Sequence, residues 1–540
     1  MEIRKLLVAN RGEIAVRIFR TARDLGIATI AVAAPDDKSA LHSRTADETV
    51  EIRTYLDSEE HIRAAKETGA DAIHPGYGFL SENPDFAEAV EAAGLVFVGP
   101  SPEALRVGGN KLEAKQMARS AGVSVVPEGS PEELGYPLVI KAAAGGGGRG
   151  MRVVRQAAEL AAALEAARRE AEAAFGDDTV FCERFVERPR HVEIQLLADG
   201  QGNVVALGER ECSIQRRHQK VLEESPSTAL DADLRARMSE AAVSFARAIG
   251  YRSAGTAEFM LDGRDFWFLE LNGRIQVEHP VTELVAGVDL VAEQLRIAAD
   301  EPLAVDEPRL DGHAVEVRLY AEDPRSFLPQ AGRIDRLNLP RSIRVDAGVE
   351  EGDEIGVAYD PMIAKLIAHG PTRDEAFLRM RDALAETDVG GLTTNLPFLR
   401  WLVRHPAVRS GRTTTAFLAE YPPLSAPPAR LPSGPWEGAW RLNLSSPPPH
   451  SAPDVDEAAH AARPGAPGEQ STLTAPMPGT VIKVLAAAGD RVEPRQTLLV
   501  LEAMKMETPV VSPYEAVVRK VYVAEGDRVA GGAVLVELEE

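Results

Sequence analysis

The chain has 540 residues and a formal net charge of −23, from 60 Lys+Arg against 83 Asp+Glu. At roughly 150 residues per domain that length implies three or four domains. The acidic balance excludes a nucleic-acid face or an anionic lipid surface, both of which call for a basic patch. Two cysteines, Cys182 and Cys212, exclude a disulfide framework and a four-thiolate zinc site. No stretch approaches the ~20 apolar residues of a membrane span. Met1 leads within a few residues into an apolar strand, which leaves no room for a signal peptide and points to a soluble cytoplasmic protein.

In chain order, apolar spacing predicts a strand over 3–9, a helix over 12–25 ended by Gly26, and a strand over 29–33. Such alternation belongs to a parallel sheet with crossover helices. The joint Asn10-Arg-Gly-Glu13 lacks the glycine fingerprint of a dinucleotide site. Further on, Pro137-Leu-Val-Ile-Lys141 reads as a buried strand that delivers Lys141 to a glycine-rich loop, Gly145, Gly146, Gly147, Gly148 and Gly150. Glycines let several backbone N–H groups face an anion, and a lysine beside them suits a phosphate chain. An Ala- and Glu-rich helix is predicted over 157–174, and strands dominate from about 178 to 345. Two polar, basic stretches fall there, 183–195 and 209–220. In so acidic a chain they suggest anion binding.

Asp262-Gly263 between two β-rich runs predicts a hairpin with Glu258 and Glu270 as approximate cross-strand neighbours. Paired like charges are unfavourable, and a divalent cation with oxygen ligands, magnesium or manganese, removes the conflict. Asn272, two residues beyond Glu270, adds a third oxygen. Arg274, Gln276 and Glu278 alternate, so an extended backbone would put them on one face, with Arg and Gln holding a small oxyanion and Glu serving as base. A helix is predicted over 372–388. Twelve of the 37 prolines then fall between Tyr421 and Gly468, the composition of a partly stiff spacer. In 473–540, Gly489-Asp-Arg-Val492 recurs as Gly526-Asp-Arg-Val529 at an offset of 37 residues. Two copies imply a small β domain with a pseudo-two-fold, and Glu502-Ala-Met-Lys-Met-Glu507 lies between them.

Five segments carry a resemblance: 8–15, 74–83, 140–150, 215–220 and 274–280. Together they are similar to biotin carboxylase, an ATP-grasp enzyme, over about residues 1–420. The segment 502–507 in its repeat resembles a biotin carboxyl carrier domain. The combination resembles the α subunit of biotin-dependent acyl-CoA carboxylases of acetyl-, propionyl- or methylcrotonyl-type.

The resemblance implies α/β and α+β folds. A Rossmann-like domain is expected over 1–112, and an ATP-grasp domain over 113–310 with a mobile lid at 113–187. A C-terminal carboxylase domain over 311–420 follows, then a Pro-rich linker over 421–472 and a flattened all-β biotinyl barrel over 473–540. ATP phosphates would meet Lys111, Lys141, His191 and the glycine loop. Glu183 and the Val186 backbone would read adenine, and Gln215 and His218 the ribose. Glu258, Glu270 and Asn272 would hold magnesium or manganese, and Arg274, Gln276 and the Val277 backbone would hold bicarbonate. Glu278 would be the base, Lys220 a further catalytic residue, Arg344 the stabiliser of a biotin enolate, and Lys505 the site of covalent biotin.

The implied reaction is ATP-dependent carboxylation of carrier-bound biotin by bicarbonate, via carboxyphosphate. The carboxyl group would pass to a separate carboxyltransferase β subunit, and a biotin protein ligase would load Lys505. A homo-oligomer within a larger hetero-oligomer is the family's expectation. Two enzyme alternatives are a pyruvate-carboxylase-type α chain and a non-biotin ATP-grasp ligase; a third reading is a carrier or scaffold with a degenerate ATP-grasp region. Two departures stand out. Gly273 replaces the larger residue of many members, which is expected to loosen its strand, and the gap before the carrier is too short for a full subunit-docking domain.

Overall fold

The computed structural model describes residues 2–142, 151–175, 177–216, 219–305, 309–425, 472–477, 479–503, 506–529 and 531–539. The glycines 145–148 and 150, His218, Lys505 and most of the Pro-rich segment lie outside them.

Strands β1 (Lys5–Val8), β2 (Ala28–Ala33), β3 (Glu48–Glu51), β4 (Ala72–His74) and β5 (Val96–Phe97) form a parallel sheet in the order β3-β2-β1-β4-β5. The helix Gly12–Asp24 buries Ile14, Ile18 and Ala22, the stripe that the sequence spacing predicts. The strand order reverses between β1 and β4, which opens a crevice at the carboxyl ends of those strands. Asn10, just past β1, ties the two sides together: its Nδ2 donates to the carbonyls of Pro75 at 2.7 Å and Tyr77 at 2.8 Å. Arg11, Glu13 and Tyr77 are thereby set on the wall of the main cavity.

A small antiparallel sheet follows, β6 (Leu138–Ala142), β7 (Arg152–Val154) and β8 (Val180–Arg184), in the order β7-β6-β8. The predicted Ala-rich helix, Leu160–Phe175, covers it over Leu138, Ile140 and Val154.

The central feature is an eight-stranded antiparallel sheet. It takes β9 (Arg190–Ala198), β10 (Val204–Arg216), β11 (Gln219–Ser225), β12 (Ser253–Asp262), β13 (Asp265–Asn272) and β14 (His313–Tyr320). Two short ribbons pair β15 (Gly332–Arg333) with β18 (Glu354–Ile355), and β16 (Arg336–Asn338) with β20 (Asp388–Gly390). Between them come β17 (Arg344–Ala347) and β19 (Met362–Gly370), which complete the large sheet in the order β13-β12-β9-β10-β11-β14-β19-β17. The pairing of β11 with β14 makes the sheet continuous across residue 310. The helix Arg373–Glu386, capped by the Thr372 hydroxyl, packs on β19 with Phe377, Met380 and Leu384 buried.

The C-terminal unit is all β: β21 (Thr472–Thr474), β22 (Gly479–Val484), β23 (Arg491–Val492), β24 (Thr497–Ala503), β25 (Met506–Val511), β26 (Ala516–Val521), β27 (Arg528–Val529) and β28 (Val534–Glu539). Two four-stranded sheets, β21-β28-β26-β23 and β25-β24-β22-β27, enclose Val481, Leu499, Leu501, Val518 and Leu535. The repeat is visible bond by bond. Gly489 N donates to Val518 O and Gly526 N to Val481 O, each at 2.7 Å; Asp490 accepts from Ala487 N and Asp527 from Ala524 N, each at 2.8 Å. Gly489 and Gly526 take φ of +97° and +93°, a turn conformation that favours glycine. The architecture is the expected combination of α/β and α+β units with a small all-β domain. Among the described residues no helix is long and apolar enough to cross a membrane.

Candidate active site

The cavity encloses about 1300 Å³ and is walled by the N-terminal crevice, the small β6–β8 sheet and the large sheet. Its floor begins at the predicted hairpin. Asp262 pairs with Asp265, and a regular ladder from there would put Leu269 opposite Glu258. A register shift after Phe259/Phe268 instead sets Glu270 opposite Glu258 and Asn272 opposite Thr256. A bulge of this kind re-aims side chains, and here it creates the acidic pair. The row continues across the sheet: Glu258 lies opposite Glu193, and Glu193 opposite Arg210. Three glutamates thus stand side by side on β13, β12 and β9.

Cations answer them. Arg210, fully buried, donates to Glu193 at 2.5 Å and Gln195 at 2.6 Å, and reaches Thr256 and Thr282. Lys220 extends from β11 and joins Glu193, Glu258 at 2.8 Å and Glu278 at 2.6 Å. His191 Nε2 lies 3.0 Å from the other Glu258 oxygen. Burial disfavours charge on Glu258, but Lys220 and His191 outweigh it and hold this carboxyl well below its ordinary range. The same carboxylate raises the pKa of the buried His191. Among the described residues no such cluster meets Glu270: burial, then the Glu258 charge, pushes its pKa up. Hard oxygen donors in an unresolved like-charge pair fit a divalent cation. Asn272 stands ready as a third donor, although its Oδ1 here accepts from Arg274 at 3.0 Å and its Nδ2 donates to Glu258 at 2.9 Å.

Beyond Asn272 the chain departs from the extended form that alternation suggests. Residues 277 and 278 turn, and Glu278, with φ −81° and ψ 10°, becomes the N-cap of the helix His279–Ala286. Pro280 at the helix start favours that stop. Arg274, Gln276 and Glu278 still share the cavity. Arg274 donates to Gln276 Oε1 at 3.2 Å and pairs with Glu82 at 3.0 Å. Glu278 is fully buried between Lys220 and Arg318, the latter at 3.0 Å. Burial opposes its charge, but Lys220, then Arg318, keep it far below the usual carboxylate range. It is therefore held ionised in the cavity.

On the facing wall Lys141 and Lys115 both pair with the buried Glu183 carboxylate. Burial, then Lys115 and Lys111, brings Lys141 down to about 8. The Glu183 side chain is thus occupied by lysines, so any adenine contact from this residue falls to its backbone; Val186 lines the wall beside it. Lys111, which opens the helix Lys111–Ser120, and Gln215 also line the cavity. Arg344 pairs with Glu283 and Asp346 at 2.7 and 2.8 Å, on β17. At Gly273 an added Cβ would stand 2.8 Å from Leu105 Cδ2, so the glycine permits that side chain to approach closely.

Glu193, Arg210 and Arg318 escaped the sequence reading as site residues. For Glu193 and Arg318 the signal was period-two: His191, Glu193 and Gln195 alternate with apolar residues, as do Glu316 and Arg318, whereas Arg210 lies in the unbroken charged run Glu209-Arg-Glu211. Charges that recur inside an apolar strand mark a buried polar face.

Residues 2–105 match the family described as biotin carboxylase, N-terminal domain; 119–306 match carbamoyl-phosphate synthase L chain, ATP binding domain; and 316–420 match biotin carboxylase C-terminal domain. Residues 471–538 match the family described as biotin-requiring enzyme. A propionyl-CoA carboxylase alpha chain of Ruegeria pomeroyi is 49% identical over 463 residues, 77% of this chain and 68% of that one. A pyruvate carboxylase chain of Methanothermobacter thermautotrophicus is 47% identical over 440 residues, 77% of this chain and 90% of that one. The crystal structure of the biotin carboxylase domain of Hydrogenobacter thermophilus 2-oxoglutarate carboxylase, with MgADP and bicarbonate, has 43% identity and a TM-score of 0.75. It covers 78% of this chain and 98% of that one. The chain spans 60–68% of the length of acyl-CoA carboxylase α chains that it matches. Domain order, site geometry and these likenesses agree: the chain belongs to the biotin carboxylase family of ATP-grasp enzymes, in the form joined to a biotin-requiring domain.

Proposed function

We propose that this chain carboxylates biotin held on its own C-terminal domain, using ATP and bicarbonate, as the first half-reaction of an acyl-CoA carboxylase. The observation that carries the reading is Lys220, whose ammonium joins Glu258 of the acidic pair to Glu278 in one cavity. On this reading, that contact would link the metal–phosphate site and the base through one side chain. Lys111, Lys141, His191 and the glycine loop would bind the phosphates, and Glu258, Glu270 and Asn272 would hold magnesium, which would offset their charge. Gln215 and His218 would contact the ribose. Arg274, Gln276 and the Val277 N–H would orient bicarbonate. Glu278 would take its proton, so that the anion can attack the γ-phosphoryl group and form carboxyphosphate. Closure of the β6–β8 sheet over the cavity would exclude the water that destroys this product.

Biotin on Lys505 would supply the nitrogen that receives the carboxyl group. In sequence Lys505 falls between Ala503 and Met506, which pair as the last residue of β24 and the first of β25. Arg344 would offset the negative charge that develops on biotin as its enolate forms, after yielding one of its carboxylate partners. A spacer of about 50 residues has a coil span of roughly 35–42 Å, a useful reach for a carrier serving two sites. The reading further assigns a cytoplasmic location, a biotin protein ligase, a homo-oligomeric carboxylase core and a carboxyltransferase β subunit. A pyruvate-type acceptor is the second reading, supported by the likeness to the Methanothermobacter pyruvate carboxylase chain; an acyl-CoA and pyruvate panel with the co-purified partner separates the two.

The test is bicarbonate-dependent ATP cleavage stimulated by free biotin, together with an avidin blot against Lys505→Arg. Glu278→Gln is expected to lower cleavage by at least about a hundredfold while ATP still binds. Absence of both activity and biotinylation refutes the reading.

A further inference from the structure

The segment 276–278 turns sharply inside the cavity, and two buried side chains hold its backbone. The Gln276 carbonyl accepts from His279 Nδ1 at 2.7 Å and from the His279 N–H at 3.3 Å. The next carbonyl, that of Val277, accepts from Lys365 Nζ at 2.9 Å. A peptide group is planar, so fixing the Gln276 oxygen fixes the direction of the Val277 N–H on the opposite side of the same plane. Fixing the Val277 oxygen stops the following plane from rotating against it.

Both side chains are fully buried. Lys365 is fully buried in the middle of β19, among Ile363, Ala364, Leu366 and Ile367. A buried ammonium costs several kcal/mol of desolvation unless it is well paired. Its carboxylate is Glu13 at 3.3 Å, and Glu13 is itself bonded by the Tyr77 hydroxyl. The strand register supplies the rest. Arg318 on β14 lies opposite Lys365 on β19; Arg318 holds the Glu278 carboxylate and Lys365 holds the preceding carbonyl. Adjacent strands therefore clamp consecutive residues of the turn. His279, also fully buried, is kept neutral by burial and by the nearby Lys365, Arg17 and Arg344 cations, which suits an Nδ1–H donor.

We propose that Lys365 and His279 are positioning residues that fix the two peptide planes flanking Val277, so that its N–H stands preset as a donor to the bicarbonate anion. The inference rests on the bicarbonate reading of this cavity. A donor aimed in advance stabilises an anion without reorganisation at the moment of reaction; a turn left to itself offers the N–H only part of the time.

The experiment measures bicarbonate-dependent ATP cleavage by the full chain, varying bicarbonate and ATP separately, for wild type, Lys365→Met, Lys365→Arg and His279→Leu. The expected result for Lys365→Met and His279→Leu is a rise of about tenfold in the bicarbonate KM, the loss of one good hydrogen bond. The ATP KM should stay within about twofold, and Lys365→Arg should recover part of the bicarbonate KM. A bicarbonate KM unchanged in both variants overturns the proposal, as does a parallel rise of both KM values. If Lys365→Met fails to fold by thermal melting, His279→Leu decides alone, because it leaves the Lys365–Glu13 pair intact. A wild type without bicarbonate-dependent cleavage overturns the functional reading itself, a distinct outcome.

Discussion

Lys220→Met tests the central electrostatic argument. The ammonium joins Glu193, Glu258 at 2.8 Å and Glu278 at 2.6 Å. At an effective dielectric of ~20, one such pair at ~2.7 Å has a gross attraction of about 6 kcal/mol. The net loss is smaller, because each carboxylate keeps a partner: Glu193 keeps Arg210, Glu258 keeps His191 and Glu278 keeps Arg318. Breaking a buried pair from one side costs ~3–5 kcal/mol, which for a unit of this size corresponds to a fall in melting temperature of roughly 3–6 °C at pH 7. The pH dependence has a definite sign. Glu258 and Glu278 both have depressed folded pKa values, so in the wild type their contribution is present above the ordinary carboxylate pKa and is lost as pH falls. The variant lacks much of that depression. The difference in melting temperature should therefore be full from pH 7 down to about 5 and narrow only as pH falls below the ordinary carboxylate value of 4.5, read by thermal circular dichroism in matched ionic strength. A difference below about 2 °C at pH 7, or one that widens on acidification, refutes the account of Lys220 as the shared counter-charge.

Two further predictions concern stability. Gly273→Ala should destabilise by ~1–3 kcal/mol, because its methyl would lie 2.8 Å from Leu105 Cδ2, and adding Leu105→Ala should relieve much of that strain; purely additive losses in thermal melting would contradict this. His42 is buried beside Asp37 and Tyr55, and burial, reinforced by the Arg11 charge against the opposing Asp37, lowers its pKa from 6.5 to about 4. The unfolded chain takes up that proton first, so His42 lowers stability as pH falls through 6.5 toward 4, by up to about 3 kcal/mol. His42→Asn should flatten the decline in melting temperature between pH 7 and 5; an unchanged slope would refute it.

The sequence determined a good deal of this protein by itself. Local spacing set the helix 12–24, the Ala-rich helix and the 37-residue repeat, because amphipathic period and turn residues act over a few neighbours. Glu258, Glu270 and Asn272 were legible as an acidic group around a hairpin. What the tertiary structure decided is how those charges are paired. The bulge at Leu269, not the symmetry of the turn, sets Glu270 opposite Glu258. Arg210, Lys220 and Arg318 come from β10, β11 and β14 to meet Glu193, Glu258 and Glu278. The turn at 277–278, the close packing at Gly273 and the reach of Lys365 to the Val277 carbonyl likewise depend on residues far apart in sequence. Periodicity reports which face of an element is buried, but strand order and register choose its neighbours. In a low-dielectric cavity those neighbours decide which group stays charged, and so which one can act as a base.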